Sequence, residues 1–237
     1  MNKVVGALRF FGVTVVSLSF ASAILLTLIF NRSSRVFHWY CRKWANVVLW
    51  LCATTVTVRG AEHLKGGSGF VYVSNHASMF DIPAVIAGIP DEIRLVYKKE
   101  LEWIPLFGWG LKYGSYIGIN RGRGVEAQKS LDEALNKIRN GESVLLFAEG
   151  TRTLDGTLQP FKRGAFHIAM RVGVPVVPLT INGSFCILPK HSIAITPGAV
   201  ELVIEQPIRL EGKTGKEAEL ELMEKVHVAI EKNYVNQ

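Results

Sequence analysis

Between Phe10 and Phe30 the chain runs for 21 residues without a single charged side chain, most of them Val, Leu, Ile, Phe or Ala. A helix over this run is long enough to cross the roughly 30 Å hydrocarbon core of a bilayer, at about 1.5 Å per residue. Ala21-Ser22-Ala23 looks like the small-residue cleavage site of a signal peptide. The apolar run nevertheless continues through Ile24 to Phe30, beyond where cleavage would fall, which favours an uncleaved anchor.

The charges are placed to match. The chain carries a net charge of +7, and residues 1–43 hold Lys3, Arg9, Arg32, Arg35, Arg42 and Lys43 with no acidic residue. That leaves 21 of the 27 basic side chains against all 20 acidic ones, so the remainder is close to neutral. A nucleic-acid binder would spread its cations over the folded body. Cations flanking an apolar helix instead point to an anionic lipid surface, with no nucleic-acid partner. The excess of Arg and Lys after the segment predicts a body on the cytoplasmic side of the inner membrane.

Val47–Val58 is a second apolar stretch, too short to span. With Trp39, Tyr40, Trp44 and Trp50 around it, residues 34–53 read either as an interfacial helix or as the buried first helix of the body. The division expected is a membrane-anchoring helical segment over 1–55 and a catalytic domain over 56–237. Cys41, Cys52 and Cys186 are too few and too scattered for a disulfide framework or a zinc site, which suits a reducing compartment.

From Gly69 onward β-rich runs alternate with helical stretches. Strands are expected at 70–73, 93–96, 144–147, 176–181 and 200–204. Helices are expected at 125–139, where Leu135 and Ile138 share a face, at 163–172, and at 213–234. This alternation predicts an α/β fold, a mixed sheet flanked by helices.

Two loops carry chemistry. Ser74-Asn75-His76-Ala77-Ser78-Met79-Phe80-Asp81 lies where a strand ends, and a histidine with a nearby carboxylate is the working part of a general base. A five-residue separation puts the two side chains on different faces of a continuous helix, so the pair requires a bend. Asp81-Ile82-Pro83 can supply it by starting a helix there, in which case Asp81 could equally be a helix cap. The second loop, Phe147-Ala148-Glu149-Gly150-Thr151-Arg152, gathers a carboxylate, a glycine, a hydroxyl and a guanidinium suited to bidentate phosphate binding. Lys162 and Arg163 come next, at a helix start. Lys98, Lys99 and Arg121 close other apolar runs. There is no GxSxG elbow and no HExxH motif.

Taken in order, the Asn-His-x-x-x-x-Asp block, the arginine at 121, Phe147-Ala148-Glu149-Gly150-Thr151-Arg152 and Val174-Pro175-Val176-Val177-Pro178 resemble the four-motif signature of the glycerolipid acyltransferases, the 1-acyl-sn-glycerol-3-phosphate acyltransferase subgroup in particular. The resemblance covers roughly residues 58–205. Ala148 departs from it, because the family usually carries proline there, and the match before Arg121 is loose. It implies acyl transfer from acyl-CoA or acyl carrier protein to the sn-2 hydroxyl of a lysophosphatidate, giving phosphatidic acid. His76 would be the base and Asp81 its orienting partner. Lys98, Arg121, Glu149, Gly150, Thr151 and Arg152 would bind the acceptor and its phosphate. No metal and no cofactor beyond the thioester co-substrate is implied. Other readings are a lysophospholipid remodelling acyltransferase with a different acceptor, a membrane serine hydrolase using Ser74 or Ser78, and a silent lipid-binding module.

Overall fold

The structure is a computed structural model and describes residues 3–65, 69–120, 125–209 and 215–236. Arg121 lies outside them.

Seven strands form one sheet: β1 Thr54–Arg59, β2 Val71–Ser74, β3 Ile93–Lys98, β4 Ile117–Ile119, β5 Ser143–Phe147, β6 Val176–Asn182 and β7 Gly198–Ile204. Their order is β1-β7-β6-β2-β5-β3-β4. β6, β2, β5, β3 and β4 are mutually parallel, whereas β7 runs antiparallel to β6 and parallel to β1. The sheet is therefore mixed, as the alternation predicted.

The side-chain alternation of the central strands divides the core in two. Tyr72, Leu145, Val177 and Leu179 point to one face, Val71, Val73, Val144 and Leu146 to the other. The first face is covered by α2 Ser34–Leu51 and α3 Asp81–Gly88, and the second by α5 Val125–Arg139, α6 Arg163–Val172 and α8 Lys216–Asn233. α4 Phe107–Tyr113 and the single turn α7 Ser184–Ile187 add Leu111 and Ile187 to the first of these cores. Because helices lie on both faces, the inner strands are apolar over most of their length, and β6 is buried at every position.

The apolar stretch 47–58 is broken in two. α2 ends at Leu51, Ala53 turns the chain with φ +50°, and β1 begins at Thr54. α2 also answers both readings of residues 34–53. Phe37, Cys41, Ala45 and Val48 are buried in the body, while Trp39 and Trp50 face outward.

α1 Lys3–Phe30 is 28 residues long and apolar enough to cross a membrane by length and composition, with only 11 % of its most apolar window buried in the protein. It does not stand away from the body. The Gly6 carbonyl accepts the Ile195 N–H, the Trp44 indole donates to Ser17 Oγ at 3.0 Å, and Thr27 Oγ1 donates to Tyr40 Oη at 3.0 Å. These contacts fall near both ends and the middle, so α1 lies along the body, against α2 and α4.

Candidate active site

The C-terminal ends of β2, β5 and β3 form one rim, and the chain leaves β2 toward β3 on one side but β5 toward β6 on the other. Such a reversal of direction opens a crevice beyond the strand ends, where open α/β sheets bind their ligands. Both chemistry-bearing loops emerge there.

β2 ends at Ser74, and Asn75 anchors the loop beyond it. Its Nδ2 donates to the Ile181 carbonyl at 2.9 Å and its Oδ1 accepts the Ile181 N–H at 2.8 Å, pinning the loop to β6. The chain then bends and α3 starts at Asp81, which closes the five-residue gap. His76 Nδ1 lies 2.6 Å from Asp81 Oδ2. The same oxygen accepts the N–H groups of Ala77 and Ser78, each at 2.9 Å. An atom that takes two backbone N–H groups is an acceptor, so the imidazole donates from Nδ1 and keeps Nε2 as its basic nitrogen. Asp81 is fully buried, and the N-cap of α3 is Phe80. Asp81 thus holds a loop and an imidazole together rather than capping its own helix.

The second loop braces the first. Glu149 Oε1 accepts the His76 N–H at 2.6 Å, and Oε2 accepts the Gln159 N–H at 3.1 Å. Burial pushes the Glu149 carboxyl up to about 7, against the pull of these two N–H donors, with the Asp81 charge adding to the rise. Gly150 sits at φ +70°, and the aliphatic chain of Lys162 lies where a side chain at 150 would project. The Thr153 N–H reaches back to the His76 carbonyl at 3.0 Å. His76 is therefore held through its N–H, its carbonyl and its ring. Its ring also stacks on Phe147, with centroids 3.8 Å apart.

Beside Phe147 lies an apolar cavity of about 400 Å³, walled by α1, α2, α3 and α4. Its lining includes Val13, Ile24, Trp44, Phe80 and Leu101, together with Tyr97 of β3. That size falls within the about 300–1,000 Å³ typical of small-molecule sites. Phe147, on which the His76 ring stacks, thus links the dyad to hydrocarbon-like walls.

Cations lie at the second loop. Arg152 is half-buried, and its guanidinium has no partner among the described residues. Lys190 was not among the expected site residues, yet its Nζ donates to Thr151 Oγ1 at 3.1 Å and to the Arg152 carbonyl at 3.3 Å. It arrives from the segment after β6, which Ser78 Oγ tethers by donating to the Leu188 carbonyl. Only the Leu-Pro-Lys-His turn hints at this position in sequence. Lys98 ends β3 level with Ala148, by extension of the β3–β5 register, but it is exposed and paired with Glu100 at 3.3 Å. Among the described residues it makes no bond to the 149–152 loop.

Residues 55–182 match the family model named Acyltransferase. The chain belongs to the acyltransferase family. It is 35% identical over 184 residues to the chloroplastic 1-acyl-sn-glycerol-3-phosphate acyltransferase BAT2 of Brassica napus, covering 76% of this chain and 53% of that one. It is 32% identical over 168 residues to the human 1-acyl-sn-glycerol-3-phosphate acyltransferase alpha, covering 70% and 59%. The chain spans about half the length of the curated relatives it matches. The crystal structure of the 1-acyl-sn-glycerophosphate acyltransferase PlsC from Thermotoga maritima superposes with a TM-score of 0.80 at 27% identity, covering 98% of this chain and 95% of that one.

Within this acyltransferase fold the departure at Ala148 has a local explanation. Ala148 is buried, and its N–H donates to the Ser74 carbonyl at 2.9 Å, extending the β2–β5 ladder by one bond. Proline could not make that bond.

Proposed function

We propose that this chain transfers a fatty acyl group from a thioester, acyl-CoA or acyl carrier protein, to the sn-2 hydroxyl of 1-acyl-sn-glycerol 3-phosphate, giving phosphatidic acid. The observation that carries the reading is the position of the His76–Asp81 pair between an apolar cavity and a cationic loop. An acyl donor and a phosphate-bearing acceptor would have to meet in that arrangement.

His76 Nε2 takes the proton of the acceptor hydroxyl as its oxygen attacks the thioester carbonyl carbon. The tetrahedral intermediate collapses, the carbon–sulfur bond breaks, and the imidazolium returns the proton to the departing thiolate. Asp81 keeps Nδ1 protonated and stabilises the imidazolium between these steps. General-base help of this kind contributes about 10²–10⁴ in rate. Arg152 and Lys190 receive the acceptor's phosphate, with Lys98 and Arg121 as further cations. The cavity takes an acyl chain.

The hydrolase reading has less support. Ser74 Oγ donates to the Asn75 carbonyl and Ser78 Oγ to the Leu188 carbonyl. Both serines are fully buried, and no side chain among the described residues bonds His76 Nε2.

α1 supports a membrane site for the reaction. A helix bonded to the body along its length seats in one leaflet together with that body, on the cytoplasmic face of the inner membrane, instead of crossing alone.

The test is thiol release from acyl-CoA, or from an acyl carrier protein, with lysophosphatidate as acceptor. Lysophosphatidylcholine, lysophosphatidylethanolamine and glycerol 3-phosphate are run alongside. Activity confined to lysophosphatidate supports the proposal. Preference for another acceptor assigns the chain to remodelling, and silence with every pair overturns the reading.

A further inference from the structure

Residues 99–113 form a lobe that neither the dyad nor the phosphate side uses. A 3-10 turn, Lys99–Trp103, leads through Ile104-Pro105-Leu106 into α4. It is a closed structure and not a loose loop. The Gly108 N–H donates to the Ile104 carbonyl and the Gly110 N–H to the Leu106 carbonyl. Gly108 lies so close to the Leu101 carbonyl that a side chain there would collide with backbone, and Leu106 is held at φ +62°.

This rigid lobe turns large apolar side chains outward. Trp103 is 86% exposed, Tyr113 62% and Trp109 45%, with Ile104 and Leu101 also at the surface. Contiguous exposed apolar surface of this kind marks an interaction face. Three properties select a lipid surface as the occupant. The first is continuity: α4 packs on α1, where a side chain at Gly110 would meet Ala21, so the lobe adjoins the helix assigned above to the membrane. The second is composition, since Trp and Tyr with Lys98, Lys99 and Lys112 nearby are the side chains that favour the headgroup level. Glu100 pairs with Lys98, and Glu102 accepts the Tyr97 hydroxyl, so the lobe's carboxylates are engaged. The third is what lies behind. Leu101, Ile104 and Phe107 of the same lobe line the apolar cavity.

We infer that the lobe 99–113 is a second membrane-seating element, with Trp103 at its tip, that sets the cavity wall formed by Leu101, Ile104 and Phe107 at the depth of the lipid chains. Acyl chains then pass between bilayer and cavity without crossing water. The inference rests on the membrane reading of α1.

The experiment places an environment-sensitive nitrobenzoxadiazole dye on Trp103→Cys, and separately on Glu217→Cys of α8, in full-length protein carrying Cys186→Ser. Cys186 is the exposed free thiol, whereas Cys41 and Cys52 are buried. Vesicles contain equal parts phosphatidylcholine and phosphatidylglycerol. The dye at 103 should shift to the blue on vesicle addition and be quenched by nitroxide-labelled lipid, while that at 217 should not. Trp103→Glu should lower turnover of vesicle-borne lysolipid by about tenfold, through lost burial of one large side chain. It should leave turnover of a monomeric short-chain lysolipid unchanged, and Trp103→Tyr should retain most vesicle activity. Protein that co-floats with vesicles while the dye at 103 stays in water overturns the lobe alone. Protein that does not float overturns the membrane reading with it. A blue shift without vesicles that grows with protein concentration assigns the lobe to a second copy of the chain and overturns the inference.

Discussion

The imidazole of His76 lies nearly flat on the ring of Phe147, with centroids 3.8 Å apart and planes 12° from parallel. Asp81 fixes one edge of the imidazole, and Phe147 fixes its plane. Phe147 also lines the apolar cavity, so one residue joins the proposed base to that cavity. Phe147→Leu keeps an apolar wall and removes the stack. It should lower kcat about tenfold, equivalent to about 1.4 kcal/mol of barrier, and change KM little. Steady-state kinetics with a saturating thioester checks this. A rise in KM with kcat intact would make Phe147 a wall and nothing more.

Asp81→Asn tests the dyad. The amide oxygen can still accept the Ala77 and Ser78 N–H groups, so the loop should stay folded, but a neutral side chain cannot stabilise an imidazolium. Turnover should fall by about 10²–10⁴, as it should for His76→Ala. Near-normal activity in an Asp81→Asn protein with an unchanged circular dichroism spectrum would remove Asp81 from the mechanism.

The sheet and the larger helices were legible because their patterns are strong. Leu135 and Ile138 at helical spacing, and the apolar runs Val144–Phe147 of β5 and Val176–Leu179 of β6, allow few other readings. β1 was hidden because Thr54–Arg59 continues the hydropathy of α2, and the break between them is one turn at Ala53. β4 is three residues long with a glycine at its centre, too short to carry a period. At the site, the spacing of His76 and Asp81 left a helix cap equally open, and only the ordered set of motifs singled the pair out. Their supports were not visible, since Asn75 meets Ile181 and Thr151 meets Lys190 only once the sheet has formed. The Glu149 carboxylate was read as part of the acceptor site; that each of its oxygens also accepts a backbone N–H of a distant loop was not legible from spacing.

Asn75 gives a stability prediction. Asn75→Ala strands the buried N–H and carbonyl of Ile181, at about 1–3 kcal/mol for each unsatisfied group. Thermal unfolding should shift down by several degrees, and activity should fall as the His76 loop loosens. A melting curve superposable on the wild type would show that another group takes over the Ile181 pair.

Glu149 makes stability depend on pH. Its carboxyl titrates near 7 when folded and near 4.5 when free, so the folded chain holds this proton more tightly than the unfolded one. The contribution is fully present below the unfolded value and is lost as pH rises through about 7. Chemical denaturation across that window should show wild-type stability falling relative to Glu149→Gln, which carries no titrating group there. Parallel profiles for the two proteins would assign the pH dependence elsewhere.

Lys190 separates a phosphate ligand from a loop brace. Its ammonium bonds Thr151 Oγ1 and the Arg152 carbonyl, which leaves a donor for an anion placed beside the Arg152 guanidinium. A group that binds phosphate equally in ground and transition states affects KM and spares kcat. Lys190→Ala should therefore raise KM for lysophosphatidate about tenfold, the cost of one charge-assisted hydrogen bond. It should have less effect with lysophosphatidylcholine, whose phosphate carries one charge fewer and a bulky choline. Arg152→Ala should show the same selectivity more strongly. If Lys190→Ala instead slowed both acceptors by one factor, and through kcat, its two bonds to the loop would be its whole role. The phosphate would then depend on Arg152 and the cations at 98 and 121.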